Sequence, residues 1–134
     1  MNDIKFRAWD YKEKRMVKVL AIDWEHQKIT CEAGINHKGV EGYERCYHQP
    51  LDNFEILQFT GVRDKNGKEI YEGDILRNSF GSLYVVKWVS SMMAFMCSPL
   101  KVVYEVRHID NLDAEVVGNI FENTELSGGE ENEI

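Results

Sequence analysis

Apolar and polar residues alternate along most of this chain with a period of two, which is typical of β-strands. Alternating segments occupy residues 6–9, 15–24, 54–60 and 82–88, and each ends at a polar turn. Residues 28–31, 74–78, 92–97 and 114–121 add shorter β-prone runs. Residues 101–109 fit either a helical face or a strand, and their valine and tyrosine content favours a strand. We expect an all-β chain.

The segment 60–76, Thr-Gly-Val-Arg-Asp-Lys-Asn-Gly-Lys-Glu-Ile-Tyr-Glu-Gly-Asp-Ile-Leu, combines two reverse turns with short apolar runs. Asn66-Gly67 predicts a type I′ hairpin turn, in which both central residues have positive φ. Asp64 can brace this turn through its side-chain oxygens. Residues 69–71 predict a second strand. The predicted structural residues of this segment are Gly61, Asp64, Asn66, Gly67, Gly73 and Asp74.

The order of the turns and strands predicts two folded regions, followed by an acidic tail at residues 125–134. Residues 1–53 form a β-rich lobe, and residues 54–124 form a small SH3-like barrel entered at Gly73-Asp74. Gly118, next to Asn119, predicts a bulge or a close backbone contact near the end of that barrel. Residues 34–42 hold three glycines and predict a loop, and residues 34–50 as a whole give no clear pattern.

Charge is distributed unevenly along the chain. The formal net charge is −7, but residues 125–134 hold four acids and no base, so the rest of the chain carries only −3. A tail with almost nothing to bury predicts disorder. Three widely spaced cysteines, no export signal and no apolar run of membrane length indicate a reduced, cytoplasmic setting without a membrane.

Two clusters could carry chemistry. Asp64, Glu69, Glu72 and Asp74 could bind a divalent cation or act as acid and base, but turn bracing explains them better. Cys31, His37, Cys46 and His48 have metal-ligand side chains, and on a strand Cys46 and His48 would share a face, but no paired Cys-x₂-Cys knuckle is present. Neither a nucleophile motif nor a phosphate loop occurs. We therefore expect no enzyme activity, no cofactor and no bound metal.

Two stretches could contact a partner. The first is apolar and contains Trp88, Met92, Met93 and Phe95, although a methionine-rich run is more often core. The second lies near the N-terminus, where six bases face three acids in residues 1–20 and Lys12, Lys14 and Arg15 cluster beside Tyr11. Such a patch could track a phosphate backbone, or could only solvate the outer face of the strands.

Three blocks resemble the YopX family of small phage and prophage proteins. They are residues 4–10 with Arg15-Met16, residues 57–75, and residues 116–123. The chain departs from the family at Phe59 and Phe121, where tyrosine is frequent, and at Thr124, where proline is usual. The resemblance implies a β-rich fold and a phage or prophage product in a bacterial cytoplasm. It implies no activity, because the family has no established one.

We expect an accessory protein that binds another protein or self-associates as a homo-oligomer, with an unknown protein partner. Small β-rich domains without a motif for catalysis are suited to such docking. The alternative is an accessory nucleic-acid-binding protein that uses Lys12, Lys14 and Arg15. The negative charge of the whole chain counts against this alternative.

Overall fold

The computed structural model describes residues 4–35, 41–100, 107–108 and 113–125. Its strands are β1 (Phe6–Asp10), β2 (Arg15–Asp23), β3 (Lys28–Ile35), β4 (Glu41–Pro50), β5 (Phe54–Arg63), β6 (Glu69–Tyr71), β7 (Asp74–Asn78), β8 (Leu83–Val89), β9 (Ala94–Pro99), β10 (Arg107–His108) and β11 (Ala114–Asn119). Single turns of 3₁₀ helix lie at Leu51–Asn53 and Ser90–Met92. The paired strands are antiparallel, so the predicted all-β class is confirmed.

The chain folds as two compact units, an N-terminal unit of residues Ile4–Gln58 and a C-terminal unit that begins at Phe59. The division falls inside β5. The predicted boundary after residue 53 and the extent of the predicted tail stay predictions.

In the N-terminal unit the strand order is β4-β3-β2-β1-β5. Ala8 lies opposite Val17 on β2 and opposite Ile56 on β5, so one small residue joins three strands on the inner face. The buried core residues of this unit are Ala8, Val17, Ile29, Cys31, Ala33 and Leu51. The alternation of the sequence therefore marks the core face of β1, β2 and β3.

β4 lies within residues 34–50, for which the sequence shows no clear pattern. The loop predicted at residues 34–42 is in part wrong, because strands extend into it from both sides. β3 continues through Ile35 and β4 begins at Glu41; residues 36–40 between them, including His37, lie outside the described part. The β3–β4 register shifts between Ala33 and Ile35 and again between Ile29 and Cys31; the second shift is a bulge at His48, which has a φ of 51°. This bulge breaks the alternation, so the expectation that Cys46 and His48 share a strand face is wrong.

In the C-terminal unit a five-stranded sheet has the order β10-β9-β8-β7-β11. The second half of β5 pairs with β6 as a hairpin, with Phe59 opposite Tyr71 and Arg63 opposite Glu69. The buried core residues of this unit are Ile70, Leu76, Tyr84, Val86, Cys97 and Ala114. Cys97 is fully buried, as its apolar surroundings predict.

The hairpin between β5 and β6 does not have the predicted type I′ turn. Only Gly67, with a φ of 85°, has a positive φ; Asn66 does not. The Gly67 N–H donates to the Asp64 carbonyl at 2.9 Å, and the Asp64 N–H donates to the Lys68 carbonyl at 2.8 Å. This is the longer hairpin loop in which a left-handed glycine follows an ordinary turn. Asp64 favours it because its carboxylate binds the N–H groups inside the loop.

The SH3-like barrel is not confirmed. Within the described residues the five-stranded sheet ends at β10 and β11 and does not close on itself. Of residues 101–109, only Arg107–His108 are described, and they form a short strand; the rest of that prediction lies outside the described residues. The predicted disorder of residues 126–134 also lies outside them.

Candidate protein-interaction surface

The β8–β9 hairpin of the C-terminal unit carries four apolar side chains at its tip, Trp88, Met92, Met93 and Phe95, which we call the hairpin patch. Trp88 lies directly opposite Phe95 across the two strands, and their rings meet edge to face at 5.0 Å between centroids. Phe95 packs against the core of the unit, whereas Trp88 keeps 46% of its surface exposed. The core therefore holds one ring and leaves the other open to a partner.

The two methionines extend the hairpin patch into the turn. Met92 ends the 3₁₀ turn and is 51% exposed, and Met93 follows it and is 80% exposed. Met93 adopts a left-handed φ of 51°, which is uncommon for a residue other than glycine or asparagine. Residues 92–96 therefore do not all belong to the surface: Met92 and Met93 are exposed, whereas Met96 is 2% exposed and belongs to the interior.

The chemistry of the hairpin patch suits protein contact. Tryptophan and methionine are enriched in the buried centres of protein interfaces. Methionine is unbranched and adapts to irregular surfaces. None of the four residues is charged, so a partner would not have to desolvate an ion here.

The predicted basic cluster lies on the β1–β2 turn of the N-terminal unit. The Asp10 carboxylate orders this turn by accepting hydrogen bonds from the N–H groups of Lys12 and Glu13, both at 3.0 Å. The side chains of Lys12 and Lys14 are exposed. Lys14 has a φ of 56°, and its N–H donates to the Asp10 carbonyl at 2.7 Å.

Arg15 does not join the two exposed lysines. Its guanidinium Nη1 lies 2.7 Å from Glu44 Oε1 and its Nε lies 3.9 Å from Asp10 Oδ2. Burial disfavours the charged guanidinium, but the hydrogen bond and charge of Glu44, with Cys46 and Asp10, outweigh burial and raise the pKa of Arg15. Two cations, rather than the predicted three, remain directed to solvent on this turn.

Arg15 also lines a cavity of about 180 Å³ within the N-terminal unit. The lining residues are Asp10, Lys12, Glu13, Arg15, Glu44, Cys46, Gln49, Asn53 and Phe54. The sequence did not reveal this cavity, because Glu44, Cys46 and Gln49 belong to β4, for which no pattern was visible. Only the register of β4 on β3 brings Cys46 to Arg15, whose Nη2 donates to Cys46 Sγ at 3.7 Å.

The residues predicted to be structural, which we call the signature residues, are Gly61, Asp64, Asn66, Gly67, Gly73, Asp74, Gly118 and Asn119. Among them, the Asp64 carboxylate accepts three backbone hydrogen bonds. Its Oδ1 accepts from the N–H groups of Asn66 at 2.8 Å and Lys68 at 2.9 Å, and its Oδ2 accepts from the Val116 N–H at 2.9 Å. Burial alone would raise the pKa of Asp64, but the backbone donors at Val116, Lys68 and Asn66 outweigh it and lower that pKa. Asp64 thus has a structural role, as predicted, and it also reaches β11.

Gly73 and Asp74 form the second turn of the segment. Gly73 has a φ of 85°, and a Cβ atom there would lie 3.2 Å from the Phe121 ring. Its N–H donates to the Val86 carbonyl, and its carbonyl accepts from the Ile120 N–H, both at 2.9 Å. Asp74 is 1% exposed and its Oδ2 accepts from the Tyr71 N–H at 2.8 Å. Backbone donors therefore occupy oxygens of both Asp64 and Asp74.

The remaining signature residues also shape the backbone. Gly61 has a φ of 88° where the β5–β6 register shifts. Gly118 lies at a register shift between β11 and β7, which confirms the predicted bulge. It is also in close contact with Asn123, since a Cβ atom at Gly118 would lie 2.5 Å from Asn123 Oδ1. Asn119 Oδ1 accepts from the Phe121 and Glu122 N–H groups at 3.0 and 2.8 Å.

The other candidate metal ligands are dispersed. Glu69 pairs with Arg63 at 3.3 Å and accepts a hydrogen bond from the Tyr71 hydroxyl at 3.1 Å. Cys31 is buried in the N-terminal core, while His48 is exposed at the bulge of β4. In the described ranges, no three histidine, cysteine or acidic side chains are grouped as a metal site would require.

Comparison with known proteins agrees with this architecture. The model of the YopX protein family matches residues 5–126, which is nearly the whole chain. The chain belongs to the YopX family. It is also similar to the crystal structure of protein EF1440 from Enterococcus faecalis, with 28% identity and a TM-score of 0.62. That match covers 95% of this chain and 99% of EF1440. Among the described residues of this YopX protein, no helix is long and apolar enough to cross a membrane.

Proposed function

We propose that this YopX protein is a non-catalytic interaction module that self-associates through the hairpin patch. The observation that carries this function is the pair of exposed side chains at Trp88 and Met93, held at the tip of a well-packed hairpin. Exposed apolar groups that are contiguous and rigidly supported are typical of protein contact sites.

A second copy of the chain is the partner that the chemistry favours. A symmetric dimer brings the same patch together from both subunits, so the patch must be complementary to itself. The four uncharged residues of the hairpin patch satisfy this condition, although the chain as a whole carries a net charge of −7. A different protein with an apolar groove is the other occupant that this surface could accept.

The setting that we propose is a phage or prophage product in the bacterial cytoplasm. Membership of the YopX family supports it, together with the similarity to a protein from a bacterium. The three cysteines of the chain are compatible with a reducing compartment.

The oligomeric state tests the main proposal. Light scattering should give the wild-type chain at least twice its mass of 15.6 kDa. Trp88→Glu and Met93→Glu should each shift the mass toward 15.6 kDa, because each buries a charge in the apolar contact. Phe80→Glu is the matched control: Phe80 is 91% exposed but lies in the β7–β8 turn, at the opposite end of β8.

A wild-type chain that stays monomeric would refute self-association. An oligomer that persists in both patch variants would place the contact elsewhere. Capture of a different bacterial protein by the wild type and not by Trp88→Glu would replace the second copy with that partner.

Nucleic-acid binding is the second candidate, and one observation favours it. Tyr11, which is 48% exposed, stands beside the exposed side chains of Lys12 and Lys14. Because Arg15 pairs with Glu44, the charge-reversing variants that test this function are Lys12→Glu and Lys14→Glu. Retention on mixed-sequence DNA or RNA should fall steeply with salt and weaken in both variants. Retention that does not change with salt concentration would eliminate nucleic-acid binding as the function.

A further inference from the structure

Cys31 and Cys46 lie opposite each other on β3 and β4 of the N-terminal unit. Both are thiols, and both face the core of the unit. Directly opposed residues of antiparallel strands have Cα atoms about 4.5–5.5 Å apart. A disulfide spans Cα separations of roughly 4.4–6.8 Å, so the backbone already holds these cysteines at bonding distance.

The two sulfurs differ in access. Cys31 is 1% exposed, whereas Cys46 lines the cavity beside Arg15. The volume of about 180 Å³ is well above the roughly 10–15 Å³ that a cavity needs to hold one water molecule. A small peroxide can therefore reach Cys46, whereas Cys31 is buried.

The two sulfurs also have different surroundings. Arg15 Nη2 donates to Cys46 Sγ at 3.7 Å. Burial, followed by the proximity of Cys46 and Asp10, raises the pKa of Cys31 to about 12, and hydrogen bonding to Cys46 adds to this shift. Cys31 is therefore a thiol at neutral pH, and its proton has to leave when its sulfur attacks.

We propose that Cys46 and Cys31 form an oxidisable dithiol, in which Cys46 reacts with hydrogen peroxide and Cys31 resolves the product as a cross-strand disulfide. The Cys46 sulfur attacks the peroxide, the O–O bond breaks, and Cys46 becomes a sulfenic acid while one water leaves. The Cys31 sulfur then attacks the Cys46 sulfur and the S–O bond breaks. The Cys31 thiol proton passes to the departing hydroxide, which leaves as a second water. The dithiol loses two electrons and two protons, and the peroxide is reduced to water.

The disulfide would cross-link β4 to β3 covalently. It would also remove the thiol acceptor of Arg15 at the cavity wall, so the cavity would differ between the reduced and oxidised chains. A dithiol reductant reverses the change by thiol–disulfide exchange.

The full-length reduced chain tests this dithiol with hydrogen peroxide. Thiol titration after denaturation should fall from three thiols to one, and peptide mapping should identify Cys31 joined to Cys46. The Cys97→Ser variant is the matched control, since Cys97 is fully buried in the other unit, and it should fall from two thiols to none. Cys31→Ser should stop at a Cys46 sulfenic acid, which dimedone traps.

The rate of disulfide formation tests whether the fold holds the two sulfurs together. Disulfide formation should be faster in the folded chain than in the same chain unfolded in urea, because folding holds the sulfurs together. Three thiols that survive peroxide, a wild-type disulfide pairing other than Cys31 with Cys46, or an equal rate in urea would each overturn the dithiol. Circular dichroism of Cys31→Ser and Cys46→Ser shows that each variant is folded before it is compared.

Discussion

The Asp64 carboxylate accepts a hydrogen bond from the Val116 N–H at 2.9 Å, although the two residues are 52 positions apart. Its other oxygen closes the β5–β6 turn locally through Asn66 and Lys68. One side chain therefore links the β5–β6 turn to β11 of the C-terminal unit. A further bond, from the Lys65 N–H to the Ala114 carbonyl at 3.2 Å, joins the same two segments.

Asp64→Ala should lower the free energy of unfolding by about 3 kcal/mol, because three backbone N–H groups lose a charged acceptor. Urea denaturation followed by fluorescence measures the change. Asp113→Ala is the matched control, since Asp113 is exposed and precedes the same strand, and it should change stability by less than about 0.5 kcal/mol. Equal effects of the two substitutions would contradict the bridging role of Asp64.

The lowered pKa of Asp64 also predicts a pH dependence. Since the carboxylate is favoured in the folded state, its stabilisation is present above the unfolded pKa of about 3.9 and is lost as the pH falls through the folded pKa. The difference in unfolding free energy between the wild type and Asp64→Asn should be steady from about pH 5 to 8 and shrink below about pH 4. Chemical denaturation at a series of pH values measures it. A difference that did not shrink in acid would show that the ionised form is not the stabilising one.

Gly67→Val should destabilise the chain by about 1 kcal/mol or more, because a β-branched residue resists the left-handed φ of 85°. Thermal or urea unfolding measures the cost. Gly34→Val is the control, because Gly34 lies in β3, without a left-handed φ and with open space around its Cβ position. A Gly67→Val chain as stable as the wild type would contradict the observed turn.

Gly118→Ala should cost about 1–3 kcal/mol, because its Cβ would lie 2.5 Å from Asn123 Oδ1 and 2.7 Å from Asn123 Cγ. In an Asn123→Ala background the same substitution should cost less, since both of these atoms are gone. A double-mutant cycle measures this coupling. Strictly additive effects would show that Asn123 is not what constrains Gly118.

The sequence predicted the elements that depend on local signals. Alternation placed β1, β2, β5 and β8, and the turn residues at Gly73 and Gly81 placed the ends of β7. The type of the 64–68 turn was not readable from Asn66-Gly67. The carboxylate of Asp64 binds Asn66 and Lys68 N–H groups, and this bonding stabilises the longer loop over the two-residue turn.

The cavity and the dithiol depend on long-range register, which no local pattern encodes. β4 has few apolar residues, and the polar residues Glu44, Arg45 and His48 lie between them. Its sequence therefore lacks the alternation that marks the other strands. Once β4 pairs with β3, Glu44 reaches Arg15 and Cys46 reaches Cys31. The hairpin patch was predicted from composition alone, but only the structure separates the exposed Met93 from the buried Met96.

In the described part of the chain, β4 is the outermost strand of its sheet. The left-handed residue at His48 distorts its hydrogen-bonding edge, and Pro50 has no N–H to donate. An incoming strand could therefore pair along only part of this edge. Amyloid-like sheets grow by such edge-to-edge pairing, so the bulge and Pro50 disfavour that growth at this edge of the sheet.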